Sequence, residues 1–160
     1  MLDLSNAKRI FLLSPSQALY LLGSVLSQHA KYATPLGDLL IDQKVVGGLD
    51  NTGKFDTMSE DADETEYSLE MHLPYIYKML SRSYSSPTEY PGLVPILVGS
   101  TKLAKEREYG AILAPYVSDS SDVFLISLDF CHWGRYYIHS LCTSLDARLV
   151  AEGIYSQHLP

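Results

Sequence analysis

The densest chemistry in this 160-residue sequence is the run Asp129-Phe130-Cys131-His132-Trp133-Gly134. It sets a carboxylate, a thiol, an imidazole and the only Trp side by side. The run follows directly on the apolar stretch Val123–Leu128, and loops leaving buried strands carry function disproportionately. Asp129 can orient the imidazole of His132 as the partner of a general base, or both can join a metal shell. The same residue types also serve plain structure, with Asp129 capping the turn and His132 bonding a backbone carbonyl. The residues alone leave these two readings level. A Cys131 nucleophile activated by His132 is disfavoured, because neighbours on extended chain point to opposite sides.

Two other short loops deserve the same scrutiny, Ser14-Pro15-Ser16-Gln17 and Gly99-Ser100-Thr101. Each follows an apolar run, and ligands of open α/β sheets bind at the carboxyl ends of the strands. Ser14 and Ser16 flank Pro15 without a G-x-S-x-G elbow, and there is no Gly-rich phosphate loop, so hydrolase and nucleotide-binding readings have little support. His72 lies two residues from Glu70, a spacing that does not put two ligands on one helical face. It is expected to pack or to sit on a helix surface. Nothing is assigned to His29, His139 or His158. Tyr136 and Tyr137 either line a pocket mouth or pack on a sheet edge.

The elements that position these loops are partly readable. Arg9–Ser14, Val94–Gly99 and Val123–Leu128 are apolar almost throughout, the pattern of strands covered on both faces. They predict an α/β fold with a mixed or parallel central sheet flanked by helices. Pro95 implies that its end of the second strand is not fully hydrogen-bonded. Thr101–Asp119 carries Tyr109, Ile112, Leu113 and Tyr116 at helical spacing, so Leu93–Leu128 reads as one right-handed βαβ unit. A second helix is expected within Glu66–Ser83, starting or kinking at Pro74. A weaker third is expected over Asp38–Leu49, and a loosely amphipathic segment over Leu145–Gln157. Ser83–Pro91 is a loop by composition.

Composition narrows the function classes. Against 12 Lys and Arg stand 19 Asp and Glu, a net charge of −7, with no basic cluster to suit nucleic acid or an anionic membrane. Seven of the acids fall between Asp56 and Glu70, with no Lys or Arg from 55 to 77. A solvated loop leading into a helix N-terminus is the expected form of this segment, ahead of a metal-binding loop. Cys131 and Cys142 make neither a CxxC pair nor a disulfide framework, which suits a reducing compartment. The most apolar stretch, Ile10–Leu26, is interrupted by Ser14-Pro15-Ser16-Gln17 and is a poor membrane span. One domain is expected over 1–160, in an intracellular protein that is cytoplasmic or also nuclear.

Four collinear segments carry a resemblance. Ser127-Leu128-Asp129-Phe130-Cys131-His132-Trp133-Gly134 resembles the S-S-D-F-C-H-W-G motif of the Memo family. Thr34–Asp42 is similar to the family's T-P-L-G-x-L-x-I-D segment. Glu66–Pro74 is similar to its E-H-S-[IL]-E-M-H-L-P segment, and Val94–Gly99 to its V-P-[IV]-L-V-G strand. The match covers roughly Lys8 to Gly134. It implies a fold related to the class III extradiol dioxygenases, here incomplete at both ends. It also implies a pocket at the strand ends proposed to hold iron or copper, and a role in binding phosphotyrosine peptides in signalling to the cytoskeleton.

Carried over by position, the resemblance assigns pocket roles to Asp129 and His132. A metal-binding His of the family falls on Gln17, beside Ser16, and the His of the E-H-S motif is replaced by Tyr67. His132 is then the sole metal candidate, and one carboxylate with one His grips a redox metal weakly. The expectation is a non-catalytic protein with no cofactor, whose residual pocket of Ser16, Gln17, Asp129 and His132 takes a peptide, a phosphopeptide or protein partner, or a small ligand. The rival is an iron- or copper-dependent oxidoreductase of the dioxygenase type. A fragment without independent function is the third reading.

Overall fold

The computed structural model describes residues 4–128. Three apolar runs form adjoining strands of a five-stranded sheet: β1 (Arg9–Pro15), β6 (Gly92–Val98) and β7 (Asp122–Ile126). Before β6 come β2 (Ser24–Leu26), β3 (Lys31–Thr34), β4 (Gly37–Leu40) and β5 (Asp56–Thr57). The sheet order is β5-β2-β6-β1-β7, and β3 pairs with β4 in a separate hairpin. β1 runs parallel to both β6 and β7, whereas β2 is antiparallel to β6. The mixed α/β sheet expected from the sequence is therefore present. Its βαβ unit, β6 to β7 through α5 (Leu103–Val117), steps over β1.

Continuous apolar strands mean two covered faces, and both are filled. Ile10 and Leu12 of β1, with Leu93 and Leu97 of β6, pack with Leu69 of α3 (Tyr67–Glu70) and with Leu73, Ile76 and Leu80 of α4 (Leu73–Ser83). On the opposite face Phe11, Val94 and Ile96 meet Val45, Val46 and Leu49 of α1 (Gln43–Asp50) and Tyr109 and Leu113 of α5. Phe11 is fully buried and stacks on Phe124 with centroids 4.5 Å apart. Burying a side chain of that size contributes about 1.5–3 kcal/mol.

Local chemistry sets the ends of these elements. Pro74 lies in the first turn of α4, where its missing N–H leaves no bond unmade. The helix starts there and does not kink. Pro95 lies beyond the stretch registered with β2, which pairs only with Ile96–Val98, so the missing donor faces no partner strand on that side.

The helix expected over Asp38–Leu49 is shorter than the spacing suggested. Thr34 Oγ1 accepts the N–H groups of Leu36 and Gly37 and closes the turn of the β3–β4 hairpin, so Asp38–Leu40 is strand. α1 begins only after Asp42, whose carboxylate accepts the Val45 N–H at 3.0 Å. The acidic segment leads into a helix N-terminus as expected, with Glu60, Asp61 and Asp63 in the first turn, but it is not solvated throughout. Ser59 caps a short helix, α2 (Glu60–Thr65), and two of its neighbourhood's carboxylates, Asp63 and Glu66, are buried. The 3₁₀ turn Pro87–Glu89 lies inside the expected loop. Among the described residues no helix is long and apolar enough to cross a membrane.

Candidate functional site

The carboxyl ends of β1 and β6 lie level, Pro15 being in register with Val98. The chain leaving β1 turns tightly: the Ser16 hydroxyl donates to the Leu19 carbonyl at 2.6 Å, and the Ser16 N–H bonds Val98. The segment then packs against the end of β6, where Ser100 donates its N–H to Leu21 and Gly99 donates to Gly23. Gly99 is required here by space alone, since a Cβ would stand 2.4 Å from the Leu21 carbonyl oxygen.

Across this turn lies Glu66, one of the seven clustered carboxylates and the first residue of the stretch expected to hold the second helix. It is 2 % exposed. Its Oε2 accepts the N–H groups of Gln17 at 3.0 Å and Ala18 at 3.1 Å, and its Oε1 accepts the Ser68 N–H at 3.1 Å. Burial works to raise its pKa, but the amides of Ser68, Ala18 and Gln17 outweigh it and hold the carboxyl below its ordinary value. Ser68 continues the connection. Its carbonyl accepts the hydroxyl of Ser14 at 3.0 Å and lies 2.8 Å from Nδ1 of His72, which donates to it. His72 thus packs, as its spacing implied.

The structure therefore brings Ser16 and Gln17 together with Glu66, and Tyr67 follows at the start of α3, half exposed. Asp129 and His132, with Cys131, Tyr136, Tyr137 and the segment 145–157, lie outside the described residues. The sign that pointed to Glu66 was its place as first residue of the matched Glu66–Pro74 segment. Composition hid it among seven carboxylates.

A cleft of about 260 Å³ opens beside Glu66, with Leu69 and Leu73 as its apolar wall and His29, Tyr32 and Asp63 on the polar side. Asp63 accepts the hydroxyls of Ser27 and Tyr32, both at 2.5 Å, and His29 Nε2 stands 3.8 Å from it. Burial first, then the bond to Asp63, pushes the Tyr32 phenol well above its usual range. Tyr32 is a donor here at any physiological pH.

Iron or copper can be tested against this donor set. At the two positions where the resemblance aligns histidines, the chain has the neutral Gln17 and the phenol Tyr67. The adjacent carboxylate is committed to three amides. Among the described residues no group of three or more His, Cys, Asp or Glu is placed to hold a metal ion. That set does not fit a redox metal, which selects imidazole, thiolate and carboxylate donors in number.

The family model described as Memo-like protein matches residues 1–154. Protein MEMO1 of Danio rerio is 47% identical over 133 residues, covering 83% of this chain and 43% of the relative. Protein MEMO1 of Homo sapiens is 44% identical over 138 residues, covering 86% and 45%. The protein memo-1 homolog of Caenorhabditis elegans is 41% identical over 137 residues, covering 85% and 37%. The chain thus spans under half the length of these curated relatives.

Proposed function

The chain belongs to the Memo-like family, and from that premise we propose that it is a non-catalytic binding protein. Its pocket, at the carboxyl ends of the strands, takes a peptide or small ligand in signalling to the cytoskeleton, in the cytoplasm. Ser16 and Gln17 contribute from the turn after β1; Asp129 and His132, to which the resemblance also assigns binding roles, lie outside the described residues. One observation supports this most directly: beside Gln17 and Tyr67, the Glu66 carboxylate is spent on backbone amides. A side chain so engaged organises a turn and does not present a free donor to an incoming ion. The segment similarity adds Asp129 and His132, one carboxylate and one imidazole, a pair that by itself grips a redox metal weakly.

Metal analysis tests the reading. The purified chain, stripped with chelator and then dialysed against ferrous or cupric salt, is expected to retain far less than one ion per chain. Near-stoichiometric iron or copper that survives gel filtration overturns the proposal in favour of a metal-dependent oxidoreductase.

A further inference from the structure

We propose that the free edge of β3 is a docking strand: an extended peptide with Lys or Arg at alternate positions pairs with it, in the groove between β3 and the α3–α4 layer. This surface is built wholly from described residues. It is additional to the strand-end pocket of the reading above and stands whether or not that reading does.

The hairpin register decides which backbone groups are free. β3 and β4 are antiparallel, and Thr34 pairs with Gly37 across the turn, the position at which two residues exchange both backbone bonds. The pattern alternates along an antiparallel pair, so Tyr32 and Leu39 make the next exchange. The Ile41 N–H, which donates to the Ala30 carbonyl at 2.9 Å, continues in the same phase. Lys31 and Ala33 are therefore the residues whose N–H and C=O point away from β4. Both are exposed, and among the described residues no backbone group outside the hairpin bonds to either. Such an edge offers its unpaired groups to an added strand.

Beyond that edge lies a groove. Two hollows of about 260 Å³ each adjoin along β3, sharing Ala33, Glu70 and Leu73 in their walls, and no residue of β4 lines either. Leu69 and Leu73 supply an apolar floor. The four residues of β3 rise roughly 13 Å, a match for a short partner strand whose alternate side chains reach that floor.

Charge selects the partner. Glu64 and Glu70 line the groove and are exposed, and among the described residues neither has an ion pair. The Lys31 ammonium is already matched, being paired with Asp38 across the hairpin, and His29 faces the buried Asp63 carboxylate at 3.8 Å. The unmatched charge along the groove is therefore negative, which complements Lys or Arg. Lys31 also disfavours the rival occupant, because a Lys on an edge strand discourages pairing with a second copy.

The test uses the full chain, labelled with ¹⁵N, and a capped synthetic peptide of alternating Val and Arg as probe. The Lys31 and Ala33 amides are expected to shift, saturate and gain protection from hydrogen exchange, whereas those of Tyr32 and Thr34, already bonded to β4, keep their exchange rates. Glu64→Gln/Glu70→Gln is expected to weaken binding roughly tenfold, and a peptide of alternating Val and Glu is expected not to bind. Ala33→Pro removes only an outward N–H, which an edge strand tolerates, and is expected to abolish binding. N-methylation of the peptide backbone is expected to do the same without altering the protein, so the test stands even where that variant fails to fold. Absence of a saturable shift overturns the proposal, as does equal binding of the Glu peptide or binding that survives N-methylation. Protection of the Lys31 and Ala33 amides before peptide is added overturns it too: if it grows with protein concentration the edge belongs to a second copy, and if it does not the chain itself covers the edge.

Discussion

Ser14, near the end of β1, donates its buried hydroxyl to the carbonyl of Ser68 at 3.0 Å, and through that one oxygen the central strand is joined to the start of the α3–α4 layer. The same carbonyl takes the ring N–H of His72. A carbonyl has two lone pairs, and both are used.

Ser14→Ala is accordingly expected to cost about 1 kcal/mol, since His72 still satisfies the acceptor. Removing both donors leaves a bare carbonyl under the sheet. The double variant Ser14→Ala/His72→Ala is expected to lose more than the sum of the single changes, a coupling that a double-mutant cycle in urea measures directly.

Arg9 and Asp122 form a forked pair at 2.7 and 2.6 Å across β1 and β7, with the Asp122 side chain fully buried. Arg9→Met strands that carboxylate, at an expected cost of about 3 kcal/mol. Lys8, whose ion pair with Asp119 is exposed, is expected to change stability by less than about 0.5 kcal/mol on replacement by Ala. Parallel denaturant unfolding of the two variants checks the contrast.

The Glu66 carboxyl is held below its ordinary value in the folded chain. An unfolded chain therefore takes up its proton first as pH falls, so the contribution of Glu66 is complete above the ordinary Glu range and disappears as pH drops through the lowered folded value. Asp119, lowered to about 2 chiefly by the Ser121 hydroxyl, acts in the same direction from an exposed site. Glu66→Gln is expected to flatten the acid limb of stability against pH, and to differ least from the wild type at the lowest pH. Denaturation midpoints at stepped pH values would expose the error if the two limbs ran parallel.

Gly99 and Gly47 should respond to Ala in opposite ways. At Gly99 the new carbon meets the Leu21 carbonyl oxygen at 2.4 Å, and overpacking of this kind costs about 1–3 kcal/mol. Gly47 lies inside α1 with nothing within 4 Å of an added Cβ, so Ala there is expected to stabilise by about 0.5–1 kcal/mol. Thermal melts of the two variants give the signs at once.

β1 and β6 are legible because burial on both faces writes an uninterrupted apolar run; β7 is legible from its apolar run although it is only partly buried at the end of the described sheet, and α5 because a long helix repeats its pattern often enough to be read. β2 and β5 are not, since at three and two residues they are too short to show a period and depend on the neighbours that pair with them. The hairpin over Lys31–Leu40 was mistaken in part for helix because Asp38, Leu39 and Leu40 suit either; the Thr34 turn, formed by a side chain bonding back to its own loop, decides the matter. At the site, the Ser14–Gln17 loop is legible from its place after a strand, and Gln17 in particular only from the resemblance. Glu66 was missed for a physical reason: a carboxylate's burial follows from which amides the fold aims at it, and those of Gln17 and Ala18 lie 49 and 48 residues away.

β1 leaves the ribosome well before both strands that flank it, β6 and β7, which begin at Gly92 and Asp122. Until they emerge, its amides and carbonyls have only water or a chaperone to bond. Pairings this far apart in sequence close slowly. The nascent chain must therefore shelter its most apolar segment longest, and the tunnel-emerging intermediate, more than the finished fold, is where this protein is most exposed to aggregation.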